Sequence, residues 1–227
     1  MTVSLERETA LWDAGARIVA GIDEVGRGAL AGPVSVGVVA LGRCTAWPDG
    51  LTDSKRLTRA RREALIEPIR AFAAASAVGH ASADEIDAHG IVAALRLAGR
   101  RALGSLGVAV DAVLLDGTHD WLTPPAPDLF AQVDAWGGAG SGPGDDWAPP
   151  PVTMVVKGDL TCASIAGGSV LAKVERDGLM AAAHDSHPDY GWSGNKGYGA
   201  AVHLEALRRL GPSPLHRRSW RLPAREG

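Results

Sequence analysis

The sequence predicts an α/β domain, on three observations. Four apolar runs, at residues 17–22, 33–41, 108–115 and 152–156, read as buried strands. Stretches of helical composition, at 57–75, 84–106, 162–183 and 203–210, are interleaved with them, which is the pattern of a layered sheet flanked by helices. Three of the apolar runs end on acidic residues, and polar strand ends are a standard place for a site in such folds.

The elements follow in order. Residues 1–16 carry Glu6, Glu8 and Asp13, so they do not form a signal peptide. The first strand, RIVAGI at 17–22, runs straight into Asp23-Glu24. A glycine-rich turn leads to PVSVGVVAL at 33–41. The helical stretch 57–75 contains Pro68, which is expected to start or kink a segment. Residues 77–81 form a short third strand. Ser82 and Glu85 have the spacing of a capping box that opens helix 84–106. VAVDAVLL at 108–115 ends at Asp116-Gly117, and VTMVV at 152–156 ends at Lys157-Gly158-Asp159. Helix 203–210 is stopped by Gly211-Pro212.

Between 123 and 151 Pro, Gly, Asp and Ala dominate, with GGAGSGPG at 137–144. This reads as a mobile surface insertion. Its glycines lack the Gly-Lys-Ser/Thr ending of a phosphate-binding loop. The chain of 227 residues, 46% apolar and 22% charged, fits one domain with a small appendage. Cys44 and Cys162 stand far apart, which argues against a disulfide framework or a cysteine zinc site and for buried or half-buried thiols. No apolar stretch reaches the length of a membrane span, so a soluble cytoplasmic protein with no membrane partner is expected.

The net charge of −3 speaks weakly against a polyanionic partner, but charge is unevenly spread. Residues 111–150 hold seven Asp and no Lys or Arg, whereas Arg208, Arg209, Arg217, Arg218, Arg221 and Arg225 crowd the end of the chain. Such a tail is either a solvated terminus or a basic face for nucleic acid.

The residues that carry chemistry lie at the strand ends. Any one acidic strand end is ordinary. Three of them, supplying Asp23, Glu24, Asp116 and Asp159, fit a carboxylate cluster. Clustered carboxylates raise one another's pKa unless cations are bound, and hard oxygen ligands suit magnesium or manganese. Gly26 and Gly28 flank Arg27, so backbone N–H groups there can approach a phosphate or a sugar hydroxyl. Lys55 and Lys173 are candidate phosphate contacts; for Lys173 a salt bridge is as good a reading, and Asp177 reads as structural. His184, His187 and His203 match no strong zinc spacing. No Gly-x-Ser-x-Gly elbow supports a serine hydrolase.

Several blocks resemble ribonuclease HII: GIDEVGRGALAGPV at 21–34, LTDSKRLT at 51–58, LLDG at 114–117, KGD at 157–159, SVLAKVERD at 169–177, NKGYG at 195–199 and HRRSW at 216–220. They occur in the family's order and cover nearly the whole chain outside 118–151. The resemblance implies a ribonuclease H-like fold: a mixed central sheet flanked by helices, with a core at 1–183 and a small helical extension with a basic tail at 184–227. It implies that Asp23, Glu24, Asp116 and Asp159 are catalytic and bind Mn2+ or Mg2+. It implies that Gly26, Arg27 and Gly28 sense the ribose 2′-hydroxyl, the group that tells RNA from DNA, and that Tyr198 packs on a sugar at the cleavage junction. The substrates it implies are RNA–DNA hybrids and duplex DNA with embedded ribonucleotides, cut 5′ of the ribonucleotide to leave 5′-phosphate and 3′-hydroxyl ends. A monomer is expected, and a replication-clamp contact of the tail is left open.

Two departures stand out. The insertion at 118–151 is longer than the family's pattern, and Ala166-Gly167-Gly168-Ser169 replaces a run of alanines, at a cost of roughly 1 kcal/mol of helix propensity per Gly. A transposase-like nuclease of the same fold competes less well, because the Gly-Arg-Gly turn and the Asp-Ser-Lys block match a ribose-sensing enzyme. A hybrid-binding protein without catalysis is disfavoured by the presence of all four carboxylates.

Overall fold

The sheet is built around the first apolar run, β1 (Val19–Val25). On one side lie β2 (Val34–Leu41) and then β3 (Ala75–Ala81), each antiparallel to its neighbour. On the other lie β4 (Ala112–Asp116) and β5 (Val152–Val155), each parallel to its neighbour. The short turn between β1 and β2 permits only antiparallel pairing, whereas a parallel partner needs a long crossover. The sheet is therefore mixed, as expected, and β1, β4 and β5 end on the same edge. This computed structural model describes residues 3–124 and 148–225; the expected GGAGSGPG stretch lies outside them.

Strand alternation sorts the core into two layers. Val19, Val39, Leu41 and Leu114 face α4 (Ala163–Ser186), with α2 (Arg59–Phe72) and α1 (Glu6–Asp13) beside it. Ala20, Ile22, Val36, Val38, Val113 and Leu115 face α3 (Ala83–Gly104), which opens on the expected Ser82–Glu85 capping box. Helix α4 lies close on the sheet. A Cβ added at Gly37 would stand 2.0 Å from the Gly168 carbonyl oxygen, and one at Gly168 would stand 2.7 Å from that of Gly37. The glycine at 168 thus exchanges helix propensity for backbone contact with the strand, a benefit that the propensity reading left out.

Several boundaries differ from the sequence reading. β1 continues to Val25, so Asp23 and Glu24 lie within the strand. β4 starts at Ala112, and Asp111 just before it ties the two chains together: its carboxylate accepts from the Arg17 and Ile18 N–H groups, both at 2.9 Å, and its own N–H donates to the Ile18 carbonyl at 2.9 Å. Helix α2 runs through Pro68 to Phe72. The N-terminal segment forms α1, whose buried Glu8 accepts from the Ser164 N–H at 2.9 Å and hydroxyl at 2.7 Å, capping α4. Trp121 and Leu122 are buried against α3, so the start of the expected insertion is anchored in the core.

Helix α4 runs unbroken past residue 183 to Ser186. Its end joins α5 (Trp192–Asn195) and α6 (Ala201–Leu210) through a third apolar cluster of Ala31, Met180, Tyr190, Trp192, Ala206 and Leu207. Both cysteines are free thiols, Cys162 buried and Cys44 half-buried. Among the described residues no helix is long and apolar enough to cross a membrane.

Candidate active site

Asp23 and Glu24 are adjacent in β1, so they leave the strand on opposite faces. Asp23 points toward α4, is 4% exposed, and pairs with the Ser169 hydroxyl. Its Oδ1 also accepts from the Glu24 N–H at 2.8 Å. Burial pushes its pKa up to about 8; the Ser169 hydrogen bond opposes this, while Asp116, Glu24 and Asp159 add to it. Glu24 is also raised by burial, an effect that the Arg27 guanidinium at 3.4 Å partly offsets.

Asp116 closes β4, and its Oδ1 accepts from the Gly158 N–H at 2.7 Å. That bond ties the end of β4 to the turn after β5. The turn enters through Lys157 in the left-handed region, φ 57°, and continues as a 3-10 turn at Gly158–Leu160. Asp159 is buried there and held up to about 6, by burial first and then by Asp116 and Asp53. Lys55 sits on a further 3-10 turn, Ser54–Arg56, which Asp53 caps by accepting from the Lys55 N–H at 2.9 Å. Burial works against the Lys55 charge, but Asp23, Asp53, Asp159 and Asp116 together outweigh it and hold the ammonium above its ordinary pKa.

The structure therefore brings Asp23, Glu24, Asp116, Asp159 and Lys55 into one electrostatic neighbourhood, and adds Asp53 and Ser169. Among the described residues no three His, Cys, Asp or Glu side chains form a closed ligand set. The donor chemistry fits a hard divalent cation all the same. All the donors are carboxylates, and three of them, Asp23, Glu24 and Asp159, have raised pKa values that a cation would relieve.

Beside the carboxylates runs the Gly26-Arg27-Gly28 turn. Gly26 has φ +87°, and a Cβ on it would fall 2.0 Å from the Arg176 side chain. Gly28 is open: a Cβ there meets nothing within 4 Å. The turn rests on two arginines that are fully buried. Arg217 donates to the carbonyls of Gly26 at 2.7 Å, Arg27 at 2.8 Å and Gly32 at 3.1 Å. Arg176 donates to the carbonyls of Pro33 at 2.8 Å, Lys196 at 3.0 Å and Ala31 at 3.2 Å. It also lies 5.5 Å from the centre of the Tyr198 ring. Arg217 is thus no solvated end of a basic tail. Of the Arg217-Arg218 pair only Arg218 is exposed. Lys173 binds Asp177 at 2.8 Å, the salt bridge of the structural reading.

Tyr198 is 38% exposed and held from behind. The Ser213 N–H donates to His216 Nδ1 at 2.9 Å, so the proton of neutral His216 sits on Nε2. It then donates to His203 Nε2 at 2.9 Å, which leaves His203 Nδ1–H to donate to the Tyr198 carbonyl, also at 2.9 Å. Burial holds both rings below their ordinary pKa, His216 at about 4. The sequence reading missed Arg176, the buried side of Arg217, and this histidine chain. Arg176, Arg217 and His216 were signalled only by position within the KVERD and HRRSW blocks, and His203, weighed only as a zinc ligand, lies in neither.

Residues 20–222 match the family model for ribonuclease HII. The chain belongs to the ribonuclease HII family. A ribonuclease HII from Streptomyces avermitilis is 47% identical over 206 residues, covering 91% of this chain and 78% of that protein. Among solved structures, the ribonuclease H2 from Pyrococcus horikoshii superposes with a TM-score of 0.63 at 24% identity, covering 89% of this chain and 93% of that one. Bst-RNase HIII in complex with Mn2+ gives a TM-score of 0.60 at 20% identity, covering 89% and 65%. These two likenesses establish the ribonuclease H-like fold. Family membership makes the chain a ribonuclease H enzyme, an endonuclease acting on the RNA of RNA–DNA hybrids.

Proposed function

We propose that this enzyme also cuts duplex DNA on the 5′ side of single embedded ribonucleotides, leaving 5′-phosphate and 3′-hydroxyl ends. In this reading Asp23, Glu24, Asp116 and Asp159 hold divalent cations, Mg2+ or the Mn2+ found with Bst-RNase HIII. One observation carries it: burial raises Asp23 and Asp159, and the carboxylates gathered from three parallel strand ends raise them further through mutual repulsion. Bound there, a divalent cation would activate a water and offset the charge that develops on the leaving oxygen.

The chain's own residues do the rest. Ser169 and the Glu24 N–H hold the Asp23 carboxyl in place. Lys55, held charged by the acidic cluster, attracts the scissile phosphate. The N–H groups of the Gly26-Arg27-Gly28 turn contact the 2′-hydroxyl, and the open side of Gly28 leaves room for the ribose. The 184–227 extension brings Tyr198 to the 1–183 core, where its ring packs on the neighbouring deoxyribose.

End-group analysis tests the chemistry. A labelled duplex with one ribonucleotide is expected to give 5′-phosphate and 3′-hydroxyl products, whereas 2′,3′-cyclic phosphate would make the 2′-hydroxyl the nucleophile and overturn the mechanism. Tyr198→Ala is expected to slow cutting at single ribonucleotides more than cutting within RNA tracts; equal losses would remove its junction role.

A further inference from the structure

We infer that Arg217 is a positioning residue whose guanidinium aims the N–H groups of Arg27 and Gly28 at the substrate sugar. This rests on the reading of the Gly26-Arg27-Gly28 turn as the ribose sensor. In a planar trans peptide, the carbonyl of one residue and the N–H of the next point in opposite directions. Arg217 pins the carbonyls of Gly26 and Arg27 toward the protein interior. The N–H groups of Arg27 and Gly28 must therefore face away from it. Among the described residues neither of them donates to a backbone acceptor, and the space around Gly28 is clear. A pair of unspent donors pointing at an open face is what a sugar hydroxyl needs.

The choice of arginine follows from the same geometry. The Nε and both Nη atoms are occupied by carbonyls of Gly26, Arg27 and Gly32, and the fork lies 4.8 Å from the centre of the Trp220 ring. A planar guanidinium can serve three carbonyls at fixed angles; an ammonium on a flexible stem cannot. The side chain is 0% exposed, so it does not touch a phosphate itself. It acts through the turn.

The test uses Arg217→Lys, which keeps the charge and loses the fork, with a single-ribonucleotide duplex as substrate. Misaiming the turn should lower kcat by about 10- to 100-fold, while KM and its salt dependence stay close to wild type, because no phosphate contact is lost. An unchanged kcat overturns the inference, and so does a flattened salt slope at unchanged kcat, which would make Arg217 a phosphate contact. Gly28→Ala, which adds a methyl on the open side, separates the two readings. If it leaves selectivity for ribose intact, the ribose-sensor reading fails whatever Arg217→Lys does. If it abolishes selectivity while Arg217→Lys has no effect, only the positioning role fails. Should Arg217→Lys not fold, the folded wild type still decides. Amide order parameters at Arg27 and Gly28 should be near the rigid-backbone value of about 0.85, and values below about 0.6 would show that the turn is not pinned and overturn the inference.

Discussion

Replacing Asp23 with Asn should stop turnover and make the metal-free protein more stable. The carboxyl is 4% exposed and its pKa stands at about 8 in the folded chain, against an ordinary 3.8. A carboxylate whose folded pKa is raised favours folding least when ionised. Its penalty is absent below pH 3.8, grows as pH rises, and levels off above about 8. At pH 7 the chain has crossed roughly three pH units of that window, at about 1.4 kcal/mol each, so the penalty is on the order of 4 kcal/mol. The side-chain amide of the Asp23→Asn variant is neutral, can still accept from the Glu24 N–H, and can donate to Ser169, so most of the penalty should be relieved. For a chain of this size that is about 8–16 °C in Tm. The assay is thermal unfolding of both proteins in chelator from pH 4 to 8, with hybrid cleavage measured in parallel. The gap should widen with pH, and added Mg2+ should narrow it by stabilising the wild type more. A gap that shrinks as pH rises, or an active Asp23→Asn variant, would refute the reasoning.

Helix α4 offers a second test: Gly168→Ala should destabilise by about 1–3 kcal/mol despite the better helix propensity, because its methyl meets the Gly37 carbonyl. Gly178→Ala in the same helix meets nothing within 4 Å and should stabilise by up to about 1 kcal/mol; chemical denaturation of both checks the contrast. His216, held at about 4 below its ordinary 6.5, contributes stability that is fully present above pH 6.5 and lost as pH falls through about 4. Asp23 and Asp159 act in the opposite sense over that range, so the ring itself should be followed by NMR, where a titration midpoint near 6.5 would contradict the neutral histidine chain. Arg218→Ala should flatten the salt dependence of hybrid binding, since its side chain is the exposed member of the pair, and an unchanged slope would leave the tail without a phosphate contact.

Much of the fold was legible because apolar runs and helical stretches alternate and because Ser82-x-x-Glu85 is a local signal. The candidate site was legible as a gathering of carboxylates at strand ends: Asp23, Glu24, Asp116 and Asp159 follow or close apolar runs, and the fold brings them within electrostatic reach of one another. Burial depth was not legible, and this is where the reading of Arg217 went astray. An arginine in an arginine-rich tail has the same local sequence whether it meets solvent or three buried carbonyls. Glu8 shows the same blindness, since its partner Ser164 lies 156 positions away. The glycines of α4 carried a propensity signal, but the Gly37 backbone opposite them belongs to another element.

The most direct test of ribose-directed, cation-dependent cutting is a matched pair of duplexes, one all DNA and one with a single ribonucleotide, incubated with Mg2+ or Mn2+ and mapped at nucleotide resolution. A single cut 5′ of the ribonucleotide, no cut in the all-DNA duplex, and none of either in excess chelator is the expected result. Cleavage that persists in chelator, or that falls equally on both duplexes, would contradict it.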